Sequence, residues 1–370
     1  MRPPLTFKDI LAHHQQQLPF VLYRKPQEQE VYAILQQDQQ LHTVNDYEEQ
    51  GFVFAPFNSV SDSYIIKGER EVLAFAKSDT TNPITSSLQD FGNAFARAHH
   101  INIVEKAIER IKESELKKVV LSRSLKIDAT TSAVEVFERM LLKYANAFVY
   151  YFFHPAIGSW LGATPERLLK IKGSTFETMA LAGTQVFHES EDVTWGDKEK
   201  EEQQFVTDEI ISRLSAIDLT TLSIGERHTH KAGNLLHLRT KINGRLDQGL
   251  DLKNIINALH PTPAVCGLPR EEARDFILEN EGYARNFYTG FLGELNLEET
   301  TTRNRNRRNV ENSAYYSVKR TSDLYVNLRC MEQSDNAFTI YVGGGITASS
   351  NPAAEWEETV NKAQTMASVI

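Results

Sequence analysis

The chain has very few cysteines and no long apolar segment. Its only cysteines, Cys266 and Cys330, are too few for a disulfide framework, and neither belongs to a CxxC pair or to a Cys/His cluster of the kind that binds zinc. No stretch approaches the roughly 18 consecutive apolar residues of a membrane-spanning helix, and the N-terminal sequence MRPPLTFKDILAHHQQQ lacks the apolar centre of a secretion signal. We therefore expect a protein of the reducing cytoplasm without membrane association.

A basic surface is also absent. The 370 residues include 40 Lys and Arg against 49 Asp and Glu, a formal net charge of -9, whereas binding to nucleic acid requires positive charge. The segment 300–323 contains four arginines within 303–308, and we interpret it as a solvated insertion rather than a site for RNA or an acidic partner. The phosphate-binding patterns GxxxxGK(S/T) and GxGxxG are missing as well. These features favour an acidic globular enzyme with no nucleic-acid partner.

Strand patterns dominate the chain. Short β-branched and aromatic runs at 20–25, 31–35, 52–57 and 63–68 predict strands in the N-terminal part, and similar runs recur towards the C-terminus. The alternation in SIGERHTH (223–230) predicts one further strand. The Ser-, Thr-, Asn- and Pro-rich segment 78–87 predicts a loop.

Helices are interspersed among these strands without strict alternation. Several strands for each helix favour an α+β fold with large antiparallel sheets, and because no linker is long enough to divide the chain, we expect a single domain. Helical spacing of apolar residues predicts helices at about 91–113, 134–145, 196–215, 251–259 and 270–281, and a last helix that begins after Asn351.

Two charged residues stand at the ends of predicted strands. In LKKVVLSRSL (116–125) side chains alternate, so Lys118 shares a face with Val120 whereas Lys117 can turn to solvent. The simplest interpretation is that both lysines reach water at a strand end. Glu166, in GATPERLL (162–169), follows a proline, where a desolvated carboxyl group could stay protonated and act as a general acid, although an ordinary turn residue is an equal alternative.

Acidic residues also lie on the apolar faces of two predicted helices. In KEKEEQQFVTDEIISRL, Glu202 shares the apolar stripe, whereas Glu199, Glu201 and Glu209 can be placed towards solvent. In SSNPAAEWEETVNKAQTM, Glu355, Glu358 and Lys362 fall on one helix face. The spacing allows either an exposed Glu–Lys pair or oxygen ligands for Mg2+.

Small residues mark two further places where a ligand could approach the backbone. The run YVGGGIT exposes backbone N–H groups at Gly343, Gly344 and Gly345, which can bind an anion, although a tight turn explains the glycines equally well. The segment MALAGT (179–184) is suited to packing beneath a flat ligand. His237, in LLHLRT, is expected to be a buried structural histidine rather than a base.

The order of these motifs resembles that of the chorismate-utilising enzymes, which include isochorismate, anthranilate, aminodeoxychorismate and salicylate synthases. The resemblance extends over about 115–370, whereas 1–95 matches weakly. It implies one α+β domain over 1–370, with two large, mostly antiparallel sheets packed as a sandwich, helices outside, and a monomeric state. The motifs are KVVLSR, GATPERLL, LAGT, KEEQQFVTDEI, LLHLRT, LHPTPAVCGLPREEA, YTGFLGEL, VNLRCM and YVGGGITASSNPAAEWEETVNKA.

The resemblance also implies a ligand set. Mg2+ would be held by Glu202 and Glu358, with Glu355 nearby. The substrate chorismate would be bound by the glycine run, by Arg329 and by Lys362. Further substrate-binding residues are expected in the pocket wall, in the LAGT segment and beside it: Tyr288, Tyr341, Ala182, Gly183, Thr184 and His237.

Position 118 indicates which reaction the family resemblance implies. Members that use ammonia carry Gln there and members that add water carry Lys, so Lys118 would be the general base that activates water. Glu166 would protonate the departing 4-hydroxyl group, and addition at C2 would give isochorismate. Ala182 stands where aminodeoxychorismate enzymes have a nucleophilic lysine, so no covalent route is expected. The chain departs from many relatives at Gln203, where they have His, and in YVGGGI, where they have YAGAGI.

Three alternatives stay open. A salicylate synthase forms isochorismate and then eliminates pyruvate with the same Lys, Glu and Mg2+. A non-catalytic chorismate-binding or partner subunit is disfavoured because it needs no acid and base. A Mg-dependent phosphoryl-transfer enzyme is disfavoured by the missing P-loop. Isochorismate leads to menaquinone and to catecholate siderophores, and both pathways are candidates.

Overall fold

A computed structural model of the chain describes residues 3–58, 61–75, 94–187, 193–232, 235–247, 251–302 and 316–370. The strands form two antiparallel sheets of nine and ten strands. In spatial order the first contains β15 (Gly267–Leu268), β7 (Lys118–Asp128), β19 (Ala337–Ile346), β18 (Cys330–Ser334), β9 (Gly158–Thr164), β8 (Phe148–His154), β1 (Phe20–Arg24), β2 (Val31–Leu35) and β6 (Arg70–Leu73).

The second sheet carries the other ten strands. Both sheets mix strands from distant parts of the chain, so each face is assembled only when the whole chain has folded. The order is β12 (Leu219–Ile224), β14 (Leu235–Leu246), β11 (Thr175–Val186), β10 (Arg167–Lys172), β17 (Tyr316–Val326), β16 (Phe291–Thr302), β4 (Gly51–Ala55), β5 (Ser63–Ile66) and β3 (His42–Val44), with β13 (His228–Ala232) paired to β14.

The sheets pack face to face, and the helices cover their outer faces. Aromatic residues from both sheets, such as Tyr23 and Phe148 of the first and Phe52 and Tyr325 of the second, fill the space between them. This arrangement confirms the predicted α+β sandwich. The helices are α1 (Phe7–Gln15), α2 (Ala94–Glu113), α3 (Ala133–Lys143), α4 (Asp197–Ser215), α5 (Leu252–Leu259), α6 (Arg270–Asn280) and α7 (Pro352–Ala367).

Some local predictions differ from the structure. The helix α1 was not predicted. Thr6 and Asp9 form a capping box at its N-terminus, in which Asp9 accepts a hydrogen bond from the backbone N–H of Thr6 (2.8 Å). SIGERHTH is not one strand, because β12 ends at Ile224 and β13 begins at His228. The segment 300–323 is not an insertion throughout, since its two ends belong to β16 and β17. The four arginines of 303–308 and the predicted loop at 78–87 lie outside the described residues.

A buried carboxylate joins the two sheets. Glu294 of β16 is 1% exposed, accepts a hydrogen bond from the Tyr23 hydroxyl (2.5 Å), and pairs with Lys25 Nζ (2.6 Å) and Arg70 Nη1 (2.9 Å). Burial alone would raise the pKa of Glu294, but the two cations outweigh it and hold that pKa below its usual value. The carboxylate therefore stabilises the sandwich in its ionised form.

Replacing Glu294 by glutamine is expected to lower the free energy of unfolding at pH 7 by about 3 to 5 kcal/mol, because Lys25 and Arg70 lose their buried partner. When folding lowers the pKa of a carboxyl group, that group stabilises the folded protein at every pH above its pKa in the unfolded chain. The stabilisation is lost as pH falls through the pKa of the group in the folded protein. The difference from the wild type in urea titrations should thus stay constant from pH 7 to about pH 5 and shrink as pH falls below the ordinary glutamate pKa of 4.5. Glu299→Gln, at a surface pair with Lys172 (3.1 Å), is the control and should cost less than about 1 kcal/mol. Equal stability of the Glu294 variant at pH 7 would contradict this account.

Candidate active site

A cavity of about 250 Å³ lies beside the glycine run of β19, between β7, β11, α4 and α7. It brings together residues that are separated by more than two hundred positions in the sequence. Almost all predicted site residues line it: Lys118, Glu166, Ala182, Gly183, Glu202, His237, Tyr288, Arg329, Tyr341, Gly343, Gly345, Glu355, Glu358 and Lys362. Gly344 faces α7 instead, and the side chain of Thr184 is not among the described ones.

Lys118 enters the cavity from the first residue of β7. Its side chain is buried and its Nζ donates to Glu202 Oε1 at 2.8 Å. Val120, the next residue on the same face, also lines the cavity, whereas Lys117 is exposed on the other face. The interpretation that both lysines reach water is therefore wrong, since only Lys117 does.

The glycine run leaves the space that Lys118 occupies. Gly345 lies opposite Val120 across β7 and β19, and a Cβ at Gly345 would lie 2.9 Å from Lys118 Cε and 3.4 Å from Glu202 Oε1. Real Cβ atoms do not approach so closely, so a side chain here would displace the lysine. The absence of a side chain at Gly345 thus leaves room for the charged side chain of Lys118.

Glu166 lies in the turn between β9 and β10, on another wall of the cavity. Its side chain is buried, and the Thr262 hydroxyl lies 3.5 Å from its Oε1. Burial is the main influence on this carboxyl group and raises its pKa to about 7, although Lys118 and Thr262 act in the opposite direction. Glu166 can therefore hold a proton at neutral pH, as a general acid requires.

Four carboxylates, including Glu199 of α4, and two lysines line the side of the cavity next to α4 and α7. Glu202 pairs with Lys118, and Glu358 Oε1 pairs with Lys362 Nζ at 2.6 Å. Lys362 Nζ also donates to the carbonyl oxygen of Gly343 at 2.8 Å. Glu355 is buried beside them. Glu355, Glu358 and Lys362 lie at positions i, i+3 and i+7 of α7, and the structure places all three on one face, as predicted.

No three His, Cys, Asp or Glu side chains within the described ranges converge as a finished metal site. The donor chemistry nevertheless fits Mg2+, which prefers a few carboxylates together with water and substrate oxygens. Glu355 Oε2 and Glu358 Oε1 lie 3.4 and 3.8 Å from the point where Gly344 would carry a Cβ, and Glu202 faces the neighbouring Gly345. The carboxylates of α7 thus face Gly344, and the carboxylate of α4 faces the next residue of the glycine run.

Arg329 and His237 also line the cavity. Arg329 precedes β18, has a backbone φ of 48°, and lines the cavity with its cationic side chain. His237 Nδ1 donates to the carbonyl oxygen of Gly183 at 2.9 Å. Burial, with the charges of Arg329 and Lys362, lowers the pKa of His237 to about 3, so the imidazole is neutral. Its role here is to fix the backbone of β11 at Gly183.

Aromatic rings form the floor of the cavity. Tyr288 and Tyr341 stack with ring centroids 5.5 Å apart, and Tyr341 stacks on Trp160 at 5.4 Å. The Tyr341 hydroxyl donates to Glu332 Oε2 at 3.1 Å, which fixes the orientation of the ring. The floor is therefore rigid and flat.

The sequence patterns missed several lining residues. Glu199 was placed towards solvent, which is wrong: it lines the cavity, because it lies one helical turn before Glu202 on the same face of α4. That i, i+3 relation was the available signal. The others carry no distinctive sequence signal: Ala264, Val265, Thr289, Leu328, Thr347 and Thr365.

Sequence comparison identifies the family. Residues 52–301 match the family described as chorismate binding enzyme, and 313–368 match a second family of the same description. The chain belongs to the chorismate-binding enzymes, as the motif order indicated. None of the described helices is long and apolar enough to cross a membrane.

Individual relatives are isochorismate and anthranilate synthases. Isochorismate synthase MenF of Escherichia coli (strain K12) is 31% identical over 271 residues, which are 70% of this chain and 57% of that protein. Isochorismate synthase DhbC of Bacillus subtilis (strain 168) is 29% identical over 286 residues, 72% of this chain and 66% of that protein. Anthranilate synthase component 1 of Methanothermobacter thermautotrophicus is 27% identical over 287 residues, 74% of this chain and 57% of that protein. The matched region thus spans between about half and two thirds of these relatives.

Solved structures share the fold. The menaquinone-specific isochorismate synthase MenF from Escherichia coli superposes with a TM-score of 0.74 at 22% identity, covering 95% of this chain and 88% of that one. A 2,3-dihydroxybenzoate-specific isochorismate synthase, DhbC, from Bacillus anthracis gives 0.76 at 22% identity, covering 98% of both chains.

Proposed function

We propose that this protein is an isochorismate synthase, which converts chorismate to isochorismate by adding water at C2 with loss of the 4-hydroxyl group. The observation that carries the proposal is the placement of buried Lys118 and buried Glu166 on different walls of one cavity that also presents Arg329 and Lys362 to an anionic substrate. The similarity to isochorismate synthases of two bacteria supports it.

The residues divide the chemistry between a base and an acid. Lys118 Nζ accepts a proton from the water that attacks C2. The ring double bonds shift, and the carboxyl group of Glu166 gives its proton to the departing 4-hydroxyl group, which leaves as water. One water molecule adds and one leaves, so the reaction is an isomerisation. Arg329, Lys362 and backbone N–H groups of the glycine run bind the substrate carboxylates.

We propose Mg2+ as the cofactor, held by Glu202 and Glu358 with Glu355 nearby. When bound, it would neutralise the ring carboxylate of the substrate and stabilise charge that develops on it. The cation would replace Lys118 and Lys362 as the partner of these glutamates, which leaves both lysines available to water and substrate.

The product assay tests the whole proposal. The purified protein is incubated with chorismate in the presence of Mg2+, and then with EDTA, and products are resolved by HPLC. Isochorismate alone, lost with EDTA, is the expected result. Salicylate with pyruvate would instead identify a salicylate synthase. Binding of chorismate without turnover in the presence of Mg2+ would overturn the assignment of a base and an acid.

The metal ligands are tested by Glu358→Gln. We expect the Mg2+ concentration for half-maximal activity to rise about 10-fold or more, because a charged ligand becomes neutral. Calorimetric titration with Mg2+ alone should show the same weakening without reference to turnover. Glu357, exposed on the same helix, supplies the matched control, and Glu357→Gln should leave both titrations unchanged. Identical Mg2+ titrations for the two variants would exclude Glu358 as a ligand.

We further propose that the chain acts in the cytoplasm as a monomer on a small-molecule substrate, and that its product enters menaquinone or catecholate siderophore formation. The two pathways correspond to the menaquinone-specific and 2,3-dihydroxybenzoate-specific relatives.

A further inference from the structure

A fully buried ion pair lies directly behind the cavity wall. Glu281 directly follows the last residue of α6, and Arg285 lies four residues later in the segment that leads to β16. Both side chains are 1% exposed, and Arg285 Nη2 lies 2.5 Å from Glu281 Oε1. Neither residue lines the cavity, so neither touches a substrate there.

The guanidinium group of Arg285 connects three segments of the chain. Its Nε and Nη2 donate to Glu281, and Nη2 also donates to the carbonyl oxygen of Val120 at 2.6 Å. Its Nη1 donates to the carbonyl oxygen of Val265 at 3.0 Å and to the Thr289 hydroxyl at 3.2 Å. All five N–H groups of the side chain are thereby used.

Glu281 also binds β7. Its Oε1 accepts hydrogen bonds from the backbone N–H of Ser122 at 2.7 Å and from the Ser122 hydroxyl at 2.8 Å. The pair therefore binds β7 at two successive inward-facing positions, Val120 and Ser122. Lys118 is the preceding position on that face.

The segment on the far side of Arg285 contacts the proposed acid. Val265 belongs to the turn that also contains Thr262, whose hydroxyl lies 3.5 Å from Glu166 Oε1. The backbone joins this turn to β7 as well, since Val120 N–H donates to the carbonyl oxygen of Cys266 at 2.8 Å. Val120, Val265 and Thr289, the three residues that Arg285 binds besides Glu281, all line the cavity.

From this geometry we infer that Arg285 and Glu281 are positioning residues, which fix the separation between Lys118 on β7 and Glu166 beside the 262–266 turn. The inference rests on the proposed function. A buried ion pair adds little stability compared with apolar side chains of the same volume, so stability alone does not account for it. A planar group with five donors can bind two strand carbonyls and a carboxylate at once, which a lysine cannot do.

The test compares Arg285→Lys, Glu281→Gln and the double variant Glu281→Gln/Arg285→Met. Each single variant should lower kcat about 100-fold while KM changes less than about 3-fold, because a small displacement of the base from the acid slows the reaction without removing a substrate contact. The double variant removes both buried charges and should regain stability towards urea. We expect its kcat to stay low. Recovery of kcat together with stability would overturn the inference and leave the pair a purely structural role.

Glu294→Gln is the matched control, since Glu294 is an equally buried glutamate in an ion-pair network that does not line the cavity. It should lose stability without losing kcat once assayed below its unfolding range. An equal fall in kcat for this control would show that the Arg285 effect is one of stability, which overturns the inference.

Amide hydrogen exchange separates this inference from the proposed function. Exchange at Val120 and in the 262–268 segment should become at least about 10-fold faster in Arg285→Lys, while exchange in the β1–β8 region stays as in the wild type. Unchanged exchange at Val120 overturns the positioning role whether or not the wild type forms isochorismate. Absence of isochorismate with the wild type defeats the proposed function instead.

Discussion

Replacing Lys118 by alanine is expected to lower kcat for isochorismate formation by about 10³-fold or more. The substitution removes the only group proposed to take a proton from the attacking water, and general base catalysis of this kind contributes about 10² to 10⁴. Lys118→Gln should be equally inactive with water, because an amide does not accept a proton at neutral pH. The product formed per unit time is measured by HPLC at saturating chorismate, with Mg2+ titrated in parallel to show that the cation still binds.

Lys117 provides the control for this experiment. It has the same charge and directly precedes Lys118, but it lies outside β7, its side chain is exposed, and it does not line the cavity. Lys117→Ala should keep kcat within about 2-fold of the wild type, since surface substitutions of this kind have small effects. Near-normal turnover of Lys118→Ala would exclude Lys118 as the base.

Glu166→Gln is expected to lower kcat by about 10² to 10³ and to remove one limb of the pH profile. Burial raises the pKa of Glu166 to about 7, so the wild-type carboxyl group is protonated below neutrality and loses its proton above it. Because the acid must be protonated to act, kcat/KM of the wild type should fall as pH rises through about 7. A glutamine side chain does not titrate, and the residual activity of the variant should lack this fall.

Two further variants separate this effect from a general loss of activity. Glu177→Gln, at a partly exposed glutamate of β11 that pairs with Arg167, should leave the profile unchanged. Thr262→Val removes the hydroxyl that lowers the pKa of Glu166, so the alkaline limb should move to higher pH. Persistence of the limb in Glu166→Gln would assign it to another group and refute the acid role.

The two periodicities of the backbone explain what could be predicted about the site. A strand alternates with a period of two, which placed Lys118 on the inward face and Lys117 on the outward face. The helical period placed Glu355, Glu358 and Lys362 on one face of α7. The same rule, applied to Glu199 and Glu202, would have found Glu199 as well.

The sequence by itself determined the family, most of the succession of strands and helices, and the face on which Lys118 and the charged residues of α7 lie. These follow from local spacing, in which each residue is related only to its near neighbours. It also determined the absence of a disulfide framework, because Cys266 and Cys330 are too few, and both are buried as free thiols.

Only the tertiary structure decided what each face meets. The carboxyl group of Glu166 has a raised pKa because the sheets and the 262–266 turn enclose it, which no local pattern encodes. Arg285 lies far along the chain from Val120, and the two meet because α6 and the segment that follows it pack against β7. The period of a strand or helix determines the direction of a side chain. Which residues that side chain contacts depends on segments that are distant in sequence. These contacts determine how far the side chain is buried, which charges surround it and therefore what chemistry it can perform.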